Sequence, residues 1–265
     1  MSQTIVQPRP PPTLRPADAQ ESSRSDDVVS ARQTSKSRVS IGSRMTVSRV
    51  IGALFLGGFL VYGVGSAMAT SAAGAPDFLT NIAANPTILA LGAVLMLSNT
   101  AIDVGKAVLF FPILERHGKR TAIGYLATMI VEVVFLGLGA LCLLLIVPLA
   151  QHAGEAWAKG VGSLLVQSNL TAYTIGEAVL GFGALFFCAL LMRSGLVPRW
   201  LAISGLIGYA CLMSGQIAAL FGVIPNIGLY SVAPGFFFEL ALPLWLIVKG
   251  FRSEAYGGQR VPQPV

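Results

Sequence analysis

Few side chains in this sequence could do chemistry inside an apolar environment, and the densest group lies between Pro86 and Arg120. Asn99, Asp103 and Lys106 follow one another at steps of four and three residues, which places all three on one face of a helix. Glu132 comes next, then Glu177, Gln216 and Glu239. With a helical rise of roughly 1.5 Å per residue, these positions sort into two depths. Asn99, Asp103, Lys106 and Glu132 form an expected inner cluster, and Glu177, Gln216 and Glu239 a second cluster in the outer half. Four carboxyls share one amine, so a single ion pair at most forms among them. The remaining acids require protonation, hydration or hydrogen bonds, because ionised groups in hydrocarbon are costly. Acids spread over both halves of a membrane are the minimum equipment for a proton relay or a proton-coupled carrier. The plainer role for the same residues is packing. Lys106 would snorkel toward a surface with Asp103 as its intrahelical partner, Glu177 would sit hydrated near the outer boundary, and Gln216 would bind helix to helix.

The elements that must position these residues follow from composition. The chain is 54% hydrophobic and 11% charged, with a mean hydropathy of +0.71. Soluble domains carry roughly a quarter charged residues, so the fold class is all-α, a polytopic integral membrane protein. Six segments reach the roughly 20 apolar residues that span a bilayer. They run over about Val47 to Met68, Thr87 to Phe111, Ala122 to Leu149, Ala172 to Met192, Leu201 to Val223 and Val232 to Val248. Pro225 and Pro234 are expected to bracket the last turn. The stretch from Ala150 to Thr171, with Trp157, reads equally as an interfacial helix or a loop. Residues 1–46, rich in Pro, Ser, Arg and Asp, are expected to form a disordered basic cytoplasmic tail. Residues 47–251 form the transmembrane domain, and 252–265 a short C-terminal tail.

Orientation follows from the loops. Eight of the 18 Lys and Arg lie within the first 49 residues. Arg116, Lys119, Arg120, Arg193, Arg199, Lys249, Arg252 and Arg260 fall on the same side of a six-span layout, while Lys159 alone marks the other. The positive-inside rule then puts both termini in the cytoplasm of a cell-membrane protein, plasma or bacterial inner membrane. Arg199, Trp200, Trp245 and Lys249 are expected to anchor the cytoplasmic interface. Three spans followed by three, the second set starting outside, would be an inverted arrangement.

Other chemistries find no residues. The sequence has no phosphate-binding Gly-rich loop with Lys-Ser/Thr, no His-Glu-x-x-His, no Cys-x-x-Cys and no Gly-x-Ser-x-Gly. Cys142, Cys188 and Cys211 lie in apolar segments without metal-ligand spacing. No metal, cofactor, nucleic-acid or catalytic role is assigned. The expected partners are the lipid bilayer, with protons or a small solute for a carrier, or another membrane protein or a second copy for a scaffold or accessory subunit.

Three stretches resemble DUF4386, a family of bacterial multi-pass membrane proteins. They are Asn85-Pro86 through Asp103-Val104-Gly105; Leu196-Val197-Pro198-Arg199-Trp200-Leu201 with Gly205-Leu206-Ile207-Gly208; and Pro234-Gly235-Phe236-Phe237-Phe238-Glu239 leading to Leu244-Trp245-Leu246-Ile247-Val248-Lys249-Gly250. The resemblance covers about Arg49 to Phe251. It implies the membrane class and marks Asp103, Glu132 and Glu239 as family-like positions. The sequence departs from the family's Arg-x-x-Glu pattern in the third span, where Met129 precedes Glu132. Lys106 is expected to replace that arginine as the partner of Glu132.

Overall fold

A computed structural model describes residues 16–223 and 226–252, with side chains from Met45 onward. It divides into two compact units, residues 1–44 and 45–265. Six α-helices occupy the described residues: α1 (Pro16–Ala73), α2 (Phe78–Ala84), α3 (Thr87–Leu149), α4 (Ala156–Ser194), α5 (Arg199–Leu220) and α6 (Ile227–Val248). A 3-10 turn, Ala150–His152, follows α3. Five helices are long and apolar enough to cross a membrane: Met45–Ala73 of α1, then Thr87–His152, α4, α5 and α6.

The count of five against an expected six has a local cause. Helix α3 carries both the second and the third expected spans, interrupted only at Gly118 (φ −177°, ψ 83°). The expected charged turn from Glu115 to Arg120 therefore contracts to one non-helical residue. Its two limbs lie against each other, with Leu97 of the first touching the Gly137 position of the second. At the start of α3, Asn85 Oδ1 accepts from the Thr87 N–H at 3.3 Å, and Pro86 has no N–H to satisfy.

Three other regions bear on the boundaries expected from the sequence. Helix α1 is drawn from Pro16, and the part that belongs to the bundle begins at Met45, while residues 1–15 and the tail from 253 lie outside the described residues. Proline suits a first helical turn, and the next one lies far beyond, at Pro76. The stretch from Ala150 to Thr171 resolves into the 3-10 turn, a short link and the first turns of α4. Pro234 stands inside α6 rather than at its border, whereas Pro225 lies outside the described residues. A proline within a membrane helix is tolerated where neighbours satisfy the backbone group it frees.

Helix α4 ends at Gly195, whose φ of +69° a glycine adopts without strain. The turn Leu196–Pro198 leads directly into α5. Helices α5 and α6 approach so closely that a Cβ built on Gly208 would stand 2.7 Å from Gly235 Cα.

The apolar interior forms two clusters. One contains Ile51, Phe55, Ala107, Phe110, Met129, Phe187, Leu201 and Phe238; the other contains Ala69, Phe78, Ile82, Leu89, Met96, Ala140 and Leu143. Along α1 and both limbs of α3 the chain passes from one cluster to the other, and polar residues occupy the step between. The exterior of the bundle is apolar as well, with Leu60 at 68% exposure and Val134, Leu138, Leu141 and Leu145 all exposed. A soluble monomer rarely presents so continuous an apolar face. These side chains face lipid, and the chain is a multi-pass helical membrane protein.

One end of the bundle collects basic residues. Arg49 Nε donates to Ile247 O at 3.3 Å, and the Arg252 N–H to Leu196 O at 3.0 Å. The Gly118 bend touches Leu190, close to Arg193. Trp200 meets Trp245 edge to face with centroids 6.4 Å apart, and Arg199 and Lys249 are exposed beside them.

Candidate functional site

The polar step between the two apolar clusters holds a cavity of about 90 Å³. The first limb of α3 supplies Asn99, Asp103 and Lys106; the second supplies Glu132. Glu177 enters from α4 and Glu239 from α6, while α1 closes the chamber with Phe55, Gly58, Phe59 and Tyr62. The two expected clusters are thus parts of one lining, with Gln216 standing apart. Helix α4 starts at Ala156, well before the expected Ala172, so Glu177 lies just past the middle of its helix. Glu239 likewise lies near the middle of its helix, because α6 starts at Ile227.

Asp103 is the hub of the inner contacts. Its Oδ2 accepts from Asn99 Nδ2 at 2.6 Å, and its Oδ1 pairs with Lys106 Nζ at 2.6 Å. The same ammonium lies over the Phe55 ring, 4.2 Å from its centroid. A cation is attracted to the negative face of an aromatic ring, most strongly when water is excluded. Lys106 is therefore held by a carboxylate and a ring together.

That arrangement corrects the expected Lys106–Glu132 pair. Both residues line the cavity, but the ion pair closes within one limb, to Asp103. A partner one turn away on the same helix costs no interhelical fit. Glu132, only 4% exposed, keeps its Oε2 without a hydrogen-bond partner among the described residues. Asn99 Oδ1 is likewise buried and unpartnered. Buried polar atoms normally find partners, so two such atoms on one small chamber mark a place suited to water or a ligand.

On the far wall, Tyr209 of α5 donates its hydroxyl hydrogen to Glu239 Oε1 at 2.7 Å. Gln216 Nε2 donates to Gly228 O at 2.9 Å, tying α5 to the start of α6. Tyr62 stacks on Tyr173 of α4, with centroids 6.1 Å apart and planes 20° from parallel. Beyond that stack, a more apolar crevice of about 240 Å³ is lined by Ser66, Thr70, Met96, Leu143 and Asn169. Ser66 and Asn169 each lie one helical turn from a stacked tyrosine, so the aromatic pair stands between the two spaces.

No group of three or more His, Cys, Asp and Glu side chains among the described residues is arranged to hold a metal ion. The aromatic wall from α1 was absent from the sequence expectations. Phe55, Phe59 and Tyr62, at steps of four and three residues with Gly58 among them, resemble any lipid-facing stripe. Their shared face was the available signal.

The model of DUF4386, a domain of unknown function, matches residues 50–250. The chain belongs to the DUF4386 family. The match spans α1 from residue 50, all of α2 to α6 and every residue of the cavity, including the α1 wall. No curated protein and no solved structure matches the chain.

Proposed function

We propose that this DUF4386 protein moves protons or a small solute across the cell membrane, through the cavity between the two apolar clusters. The observation that carries this reading is the convergence of Asp103, Glu132, Glu177 and Glu239, from three helices, on one chamber with a single amine. Ionisable groups inside a membrane are expensive and mark solute or proton paths. The crevice beyond the Tyr62–Tyr173 pair supports a route toward the membrane face opposite the basic end. In this reading the bundle crosses the membrane six times, with each limb of α3 a separate crossing. The basic end and both termini face the cytoplasm, as the positive-inside rule requires, and Trp200 and Trp245 anchor that interface.

Purified protein in liposomes with a trapped pH-sensitive dye tests the proposal. An imposed pH gradient is expected to collapse faster than in protein-free vesicles, and Glu132→Gln to return the rate to the protein-free value. Equal rates for wild type and Glu132→Gln would sink it.

A second reading is a scaffold or accessory subunit whose acids serve packing. The Tyr209–Glu239 and Gln216–Gly228 hydrogen bonds favour it, since each ties α5 to α6. It requires a stable partner: gentle solubilisation from native membranes yielding only a monomer counts against it.

A further inference from the structure

The cavity already contains one cation, the tethered ammonium of Lys106, and its seat shows what the chamber is built to hold. That seat has two parts, a carboxylate oxygen at 2.6 Å and an aromatic face at 4.2 Å. The same two parts recur across the chamber. Glu132 supplies a carboxylate oxygen that is buried and, among the described residues, without a hydrogen-bond partner. Phe59 and Tyr62 of α1 supply aromatic side chains to the same lining, and Glu177 a second carboxyl. We propose, resting on the transport reading above, that this second half of the chamber binds a small primary ammonium ion, with Glu132 as its anionic partner.

Charge selects a cation. Lys106 neutralises one carboxylate, and Glu132, Glu177 and Glu239 have no basic partner in the chamber, so an entering cation is what stabilises the ionised form of one of them; Glu239 is already engaged by the Tyr209 hydroxyl. Coordination argues against a chelated divalent ion. Such ions take six or more oxygens at close range, whereas among the described residues the acids that line the chamber are not close enough together for any three of them to hold a metal ion. Aromatic walls argue for an ammonium over a strongly hydrated alkali ion, because the ring face rewards a cation that sheds its water. Size sets the last preference: a chamber of about 90 Å³ has room for several waters, which fits a methylammonium-sized ion better than a polyamine or a bulky quaternary ion.

The geometry also makes Lys106 a competitor. Its ammonium occupies the better of the two seats, and removing it exposes Asp103 and the Phe55 ring to the ligand. Loss of Lys106 should therefore strengthen binding, an outcome that misfolding cannot imitate.

The test is equilibrium binding of radiolabelled methylammonium to the full chain in lipid nanodiscs, with sodium and tetramethylammonium as competitors. Saturable binding is expected in the wild type, at least tenfold weaker in Glu132→Gln and about tenfold tighter in Lys106→Met. Glu155→Gln, outside the chamber, is the control that leaves binding unchanged. An absence of saturable methylammonium binding overturns the proposal, as does a Glu132→Gln variant within twofold of wild type or displacement by sodium at equal concentration. Binding in nanodiscs is independent of flux in liposomes. Glu132-dependent proton flux without methylammonium binding removes the ligand class and leaves the transport reading standing. Methylammonium binding without flux of either ion does the reverse.

Discussion

Lys106 and Asp103 form an ion pair, 2.6 Å between Nζ and Oδ1, one turn apart on the first limb of α3. Both groups are largely withdrawn from solvent, with side-chain exposures of 14% and 7%. Breaking a buried pair by removing one partner typically costs about 3–5 kcal/mol, because the other charge is left uncompensated. Lys106→Met is therefore expected to lower stability by about 3 kcal/mol, near the low end of that range. Adding Asp103→Asn should recover most of the loss, and adding Glu132→Gln should not. Denaturant titrations in detergent micelles compare the two double variants directly; recovery by Glu132→Gln instead would restore the interhelical pair expected from sequence.

The Tyr209 hydroxyl donates to Glu239 across the α5–α6 interface. Tyr209→Phe removes the donor and leaves a half-buried acceptor, a change expected to cost about 1 kcal/mol. A thermal melt of the purified protein reads the loss. If that bond is only packing, Tyr209→Phe lowers the melting midpoint and leaves the liposome flux at its wild-type rate.

Gly208 meets Gly235 backbone to backbone. A methyl at Gly208 would press on a main-chain atom that cannot rotate away, so Gly208→Ala forces the two helices apart. Overpacking of this kind costs about 1–3 kcal/mol. Gly57→Ala, where an added methyl meets nothing within 4 Å, is the matched control, and the pair is compared by melting temperature.

The Tyr62–Tyr173 stack stands between the polar chamber and the wider crevice. Tyr62→Ala joins the two spaces. In the liposome assay the variant is expected to dissipate an imposed pH gradient several times faster than wild type, while Phe at the same position keeps the wild-type rate.

At the other end, Glu155 hydrogen-bonds His152 at 2.9 Å and also accepts from the Trp157 ring N–H. Hydrogen bonding from His152, and then from Trp157, holds its carboxyl below the ordinary value of 4.5. A carboxyl with a depressed pKa contributes stability above its unfolded value and loses it as pH falls through the folded one. The link between the 3-10 turn and α4 should hold at neutral pH and release on acidification below the ordinary carboxylate range. Trp157 emission in a Trp200→Phe, Trp245→Phe background follows the release, and Glu155→Gln should abolish the acid transition.

What could be read from the sequence was whatever helical spacing alone determines. Asn99, Asp103 and Lys106 share a face because steps of four and three residues require it, and the structure joins them as that spacing implies. The partner of Lys106 was not legible in the same way. Pairing across to Glu132 depends on how the limbs of α3 register, and Gly118 sets that register with one residue where a longer turn was expected. Glu177 and Glu239 were assigned to a separate layer because hydropathy locates the apolar middle of a helix and not its ends. Phe55, Phe59 and Tyr62 carried no charge to draw notice; in an apolar span a cavity-facing ring and a lipid-facing ring are the same letter.

The divided interior has a mechanical consequence. A bundle with one continuous core resists bending everywhere, since side chains interlock along its whole length. Here the interlocking stops at the chamber and resumes beyond it, and the band between is spanned by hydrogen bonds, an ion pair and stacked rings. Such contacts can pass from one partner to another among the polar groups of the chamber, which an interlocked apolar seam cannot do without opening. The stiff regions are therefore the two blocks, and the compliant one is the band that carries the acids. Any tilt of one block against the other reshapes the chamber first.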